Sequence, residues 1–167
     1  MWGTMMEVWQ SLVELIIRPP RHEYDCNRDL GNKKMMVRGT LVVREDIDLM
    51  NKRGFVLKCS HFQPAELPPE DADSDSLDFQ PRPKDGPFPC VVYCHGNAGS
   101  RCDSLSVLPI LLPLGISVFA MDFSGAGQSE GKFLSLGYHE KEDLATAIEF
   151  LQTCKRVSRL GVWGHSM

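Results

Sequence analysis

The stretch Leu160-Gly161-Val162-Trp163-Gly164-His165-Ser166-Met167 carries the reading of this chain. Its first half is a short apolar run that reads as the last strand of the chain. Its second half matches four of the five positions of G-x-S-x-G, with the fifth at position 168. In that motif glycines flank a serine because the turn from strand to helix leaves no room for side chains. The turn holds the hydroxyl out at the carboxyl end of the sheet. Ser166 is therefore the candidate nucleophile.

Working outward, the same β-loop-α rhythm recurs. Val91-Val92-Tyr93-Cys94 is a continuous apolar strand, as in a buried parallel sheet, and His95-Gly96-Asn97-Ala98-Gly99-Ser100 follows it. The pattern predicts a helix over 103–114, a strand over 116–121, a glycine-rich loop over 123–131, a helix over 138–155 and the strand at 160–163. Upstream, residues 35–44 (MMVRGTLVVR) and 54–62 (GFVLKCSHF) read as two strands joined by 46–53. Early antiparallel strands followed by repeated β-loop-α units predict an α/β fold. Its sheet is mostly parallel with helices on both faces.

Two segments stand apart. Residues 4–18 predict a helix, with Trp9, Leu12, Val13 and Ile16 on one stripe and Pro19-Pro20 ending it. That stripe suits docking on the core or on a partner; a membrane-surface role is less expected, since the opposite face is not rich in Lys or Arg. Residues 64–87 hold six prolines and seven carboxylates against two basic residues. That composition predicts a mobile surface loop outside the chemistry. Asp71, Asp73 and Asp75 alternate like the start of a calcium loop. Ser76 and Arg82 stand where such a loop needs Gly and Glu, so no metal is expected. The expected organisation is an N-terminal helix and linker over 1–34, then an α/β domain portion over 35–167 carrying the acidic loop.

Composition narrows the function classes. A formal net charge of −4 gives no basic footprint for nucleic acid. No apolar run approaches the roughly 20 residues that span a bilayer. The six cysteines form no CxxC and no zinc spacing, and with no basic N-terminal signal region they point to a reducing, cytoplasmic setting. Cys90 and Cys94 share a strand face and read as small core hydrophobes. The glycines at 125 and 127 lack the third glycine of a dinucleotide loop. Gly131-Lys132 lacks the flanking residues of a P-loop, so no cofactor is expected.

His95-Gly96-Asn97, then Asp122-Phe123-Ser124-Gly125-Ala126-Gly127-Gln128-Ser129, then Gly164-His165-Ser166 occur in an order and spacing that resemble the α/β-hydrolases, and within them the serine aminopeptidase-like branch. The resemblance covers about residues 37–167. It implies that Ser166 is the nucleophile, that the backbone N–H groups of Asn97 and Met167 form the oxyanion hole, and that Asp122 is structural. It implies a serine hydrolase acting on an ester, thioester or amide, with a small-molecule, lipid-like or peptide substrate and an acyl-enzyme intermediate. In this fold the acid and the histidine follow the serine along the chain. All five histidines here precede Ser166, so the chain as given is expected to be inactive and to stop after the fifth strand. A binding or scaffold protein on the same fold, without catalysis, is the other reading. HGN in place of HGGG argues weakly against a lipase. Oligomeric state is not legible.

Overall fold

The computed structural model describes residues 2–67 and 82–166. Among them the sheet runs β1-β2-β3-β6-β5-β7, with β4 pairing β3 off that path. The elements in chain order are α1 (Trp2–Ile17), α2 (Cys26–Asp29), β1 (Lys34–Val37), β2 (Thr40–Met50), β3 (Val56–Glu66), β4 (Arg82–Pro83), β5 (Phe88–Cys94), α3 (Leu108–Leu111), β6 (Ser117–Met121), α4 (Glu140–Thr153) and β7 (Val157–Gly164). The first strands pair antiparallel, β3 meets β6 antiparallel, and β6, β5 and β7 are parallel. No helix among the described residues is long and apolar enough to cross a membrane.

Side-chain alternation splits the core into two layers. Phe119 and Met121 of β6 join Cys90, Val92 and Cys94 of β5 under Ala147 and Leu151 of α4. Val118 and Ala120 face the other way, toward Leu108, Leu111 and Leu112, with Tyr24 and Leu30 from the N-terminal segment. Helices thus cover both faces, as expected. Cys59, Cys90 and Cys94 are buried as free thiols. Burial pushes Cys90 and Cys94 up to about 11, so neither is a nucleophile near neutrality.

Several expected boundaries move, each for a physical reason. The strand expected over 35–44 is a hairpin: Arg38 and Gly39 both have positive φ, at 45° and 81°, as a two-residue turn of type I′ requires. The connection expected over 46–53 is mostly strand, since β2 stays paired with β3 out to Met50↔Val56. Beyond Val43 no β1 partner flanks it, so its carboxylates face solvent and mimic a loop. The tight turn at Asn51 replaces the long connection. Its Oδ1 accepts the N–H groups of Arg53 (3.0 Å) and Phe55 (2.9 Å).

The helix expected over 103–114 is broken into a 3₁₀ turn (Arg101–Ser106), α3 and a second 3₁₀ turn (Leu112–Leu114). Pro109 and Pro113 lack N–H donors and allow only first-turn positions. The acidic stretch also starts later than expected. Pro64, Ala65 and Glu66 belong to β3, with Ala65 opposite Pro83 of β4. The expected mobile loop, with Asp71, Asp73 and Asp75, otherwise lies largely outside the described residues.

Candidate active site

β5 and β7 are parallel neighbours in register Cys94↔Gly164, so the loops that follow them leave the sheet side by side. The His165 N–H donates to the Cys94 carbonyl at 3.0 Å and ties the two exits together. Ser166 follows with φ +28°, a left-handed conformation that side-chain-bearing residues rarely adopt. Gly96 packs directly on this turn. A Cβ there would lie 2.5 Å from the Ser166 carbonyl oxygen and 3.1 Å from that of His165. Only a glycine lets the two backbones approach this closely.

Asn97 comes next. Its Nδ2 donates to the Ile16 carbonyl at 3.2 Å, while its Oδ1 is buried without a partner. Among the described residues no carbonyl accepts its backbone N–H. Ser166, His95 and Phe123 border a cleft of about 300 Å³, with Leu144, Val162 and Lys141 on its other walls. It opens at the carboxyl ends of the parallel strands, where ligands of open α/β sheets bind. Met167 lies outside the described residues.

The sequence profile of the family described as "Serine aminopeptidase, S33" matches residues 85–167. Over 126 residues, 75% of this chain, the sequence is 29% identical to the uncharacterized protein YqkD of Bacillus subtilis (strain 168). It resembles the Pyrococcus furiosus esterase Pf2001 with a TM-score of 0.62 at 21% identity over 91% of this chain. A serine hydrolase without lid from Xanthomonas campestris, XC6422, gives a TM-score of 0.52 at 20% identity over 74% of this chain. The chain has the α/β-hydrolase fold. It spans 37% of the length of YqkD, 47% of the esterase chain and 50% of XC6422.

In this α/β-hydrolase fold the aspartate after β6 has no exposed atom to offer a substrate. Asp122 Oδ1 accepts the Arg101 N–H at 2.7 Å. Its Oδ2 accepts the Gln128 N–H at 2.9 Å and the Tyr24 hydroxyl at 2.5 Å. A Cβ on Gly127 would strike this carboxylate, which is why the loop needs glycine there. The Arg101 guanidinium donates to the Tyr24 hydroxyl (2.6 Å), to the Cys59 carbonyl (2.7 Å) and to Gln128 Oε1 (3.2 Å). Burial and the Asp122 carboxylate push the Tyr24 phenol up, so it stays protonated and donates.

The histidines of the chain are placed for other work. Burial pushes His95 down, and its neutral ring bridges the site: Nε2 accepts the Phe123 N–H (3.1 Å) and Nδ1 donates to the Gly96 carbonyl (2.7 Å). His61 is buried against Ser117 Oγ at 3.1 Å and pushed down to about 3 by desolvation. His22 Nδ1 meets the buried Ser100 Oγ at 2.8 Å, and that hydroxyl caps the following turn through the Cys102 N–H. No hydrogen bond among the described residues joins a histidine ring to Ser166.

Sequence reasoning missed a second buried carboxylate. Asp143 accepts from the Ser124 N–H (2.9 Å), the Ser124 hydroxyl (2.6 Å) and Asn51 Nδ2 (2.7 Å), and pairs with Arg53 at 3.1 Å. Glu140 accepts the N–H groups of Ser135 and Gly137, both at 2.7 Å. Burial opposes its ionisation, but these bonds outweigh it and hold its carboxyl below the usual range. A signal existed: Glu140, Asp143, Ala147 and Leu151 form one helical stripe, and acids on a buried stripe need partners. Arg21, Tyr24 and Arg101 gave no such signal, because their partners lie far away in sequence.

Proposed function

We propose that this chain presents Ser166 as the nucleophile of an acyl-transfer hydrolase. The Ser166 hydroxyl attacks the carbonyl carbon of an ester, thioester or amide, and its proton passes to a histidine that the full-length protein supplies. The backbone N–H groups of Asn97 and Met167 receive the oxyanion. The leaving group departs with that proton, and water then releases the acyl group from Ser166. The observation that carries this reading is the left-handed turn at Ser166 packed against Gly96. Such a turn aims a hydroxyl outward at a point where preorganised N–H donors converge.

Esters are the first substrate class to try, since a neighbour on the same fold bears the name acetyl xylan esterase and another is called an esterase. A cytoplasmic setting belongs to the same proposal; the buried thiols of Cys59, Cys90 and Cys94 suit a reducing compartment. The test is active-site labelling of the full-length protein with a fluorophosphonate probe. Stoichiometric labelling that disappears in Ser166→Ala supports the reading. A folded full-length protein that does not label, and hydrolyses no p-nitrophenyl ester, returns the molecule to the scaffold reading.

A further inference from the structure

The helix α1 has an apolar face that the rest of the described protein leaves open. At about 100° per residue, every position from Leu15 round through Leu12 and Trp9 to Ile17 is apolar, an arc of about 200°. Gln10, Gly3, Glu14, Glu7, Ser11 and Thr4 fill the remainder. Met5, Trp9 and Leu15 are each about two-thirds exposed, at 65%, 66% and 65%. Only the margin at Val13 and Ile17 is partly covered. The 16 residues of α1 extend about 24 Å. That is short of the roughly 30 Å hydrocarbon core of a bilayer, and two carboxylates lie on the helix. A helix of this kind lies along an interface and does not span it.

What stands at its root decides the occupant. Arg18, Arg21 and Lys132 line a cleft of about 300 Å³ with Pro19, Pro20 and Gly125, and no carboxylate is among that lining. Arg21 is fixed there by donating to the carbonyls of Ser129 (2.8 Å) and Gly131. The chain as a whole is acidic, with a net charge of −4. Three cations gathered beside an apolar helix therefore run against the overall sign and complement an anionic surface. We propose that α1 docks on an anionic phospholipid membrane. Its apolar arc enters the acyl boundary, and Arg18, Arg21 and Lys132 meet headgroup phosphates. The root of the helix is bonded to the loop after β5 through Ile16 and Asn97, so docking sets that loop beside the membrane.

Cosedimentation of the full-length protein with vesicles tests this independently of any hydrolase activity. Binding is expected on phosphatidylcholine vesicles carrying roughly one-third phosphatidylserine, several-fold weaker on phosphatidylcholine alone or at about 1 M salt. The double change Trp9→Glu and Leu12→Glu should abolish binding without moving the melting temperature, because both side chains are exposed. Arg18→Ala with Lys132→Ala should weaken binding roughly tenfold. Failure of the unaltered protein to sediment with the serine-lipid vesicles overturns the proposal. So does unchanged binding by either double variant, or a solution dimer that Trp9→Glu with Leu12→Glu disperses in the absence of vesicles.

Discussion

Asp122 is the residue whose surroundings say most about its work. A triad acid would orient a histidine; this carboxylate instead takes two backbone N–H groups and a phenol, with the Arg101 guanidinium 3.9 Å away. Asp122→Asn keeps one acceptor and turns an amide NH₂ toward donors, which leaves Arg101 without its counter-charge. Removing one partner of a buried ion pair costs about 3 kcal/mol or more. The expected outcome is a full-length protein that melts well below the parent while its folded fraction turns over at a similar rate per molecule. A rate loss of about a thousandfold at an unchanged melting temperature would show that Asp122 takes part in the chemistry.

At the scale of elements, the segment between α1 and β1 behaves as a strap and not as a linker. Tyr24 and Leu30 sit in the core, Arg21 spans the glycine-rich loop, and His22 reaches Ser100. The segment therefore braces both loops that flank the candidate site. Arg21→Ala removes charge-assisted bonds to loop carbonyls, worth about 1–2 kcal/mol after solvent screening of an exposed side chain. Chemical denaturation should register that loss as a lower midpoint at an unchanged slope. Ser166 should still label, since Gly96 and the end of β7 hold the elbow by other contacts. A variant as stable as the parent would reduce Arg21 to a surface cation.

For the molecule as a whole, β7 is the outermost strand of the described sheet, paired on one side with β5. Val162 and Trp163 lie open, at 54% and 42% exposure. An unpaired strand with apolar residues is a template for further pairing. The isolated 167-residue polypeptide is therefore expected to self-associate. It is also expected not to react with a fluorophosphonate, because a serine hydroxyl without a base is a poor nucleophile. Labelling of that polypeptide at Ser166, measured by intact mass and removed by Ser166→Ala, would mean that a base comes from within these residues or from a second copy.

The fold was legible because its signals are local. Gly164-His165-Ser166 follows an apolar run, the glycines at 96 and 125 mark places where backbone meets backbone, and Gly127 packs on the Asp122 carboxylate; such close approaches constrain residue type directly. The buried parallel strands were legible for the same reason, since a strand covered on both faces must be apolar throughout. The length of β2 was not, because its charges follow from which side lacks a neighbour, and pairing is a tertiary fact. Nor were the partners of Arg101 and Arg21. A cation in a sequence looks alike whether water or a carbonyl about a hundred positions away satisfies it, and only the folded chain brings Tyr24, Asp122 and the loop carbonyls within hydrogen-bond reach.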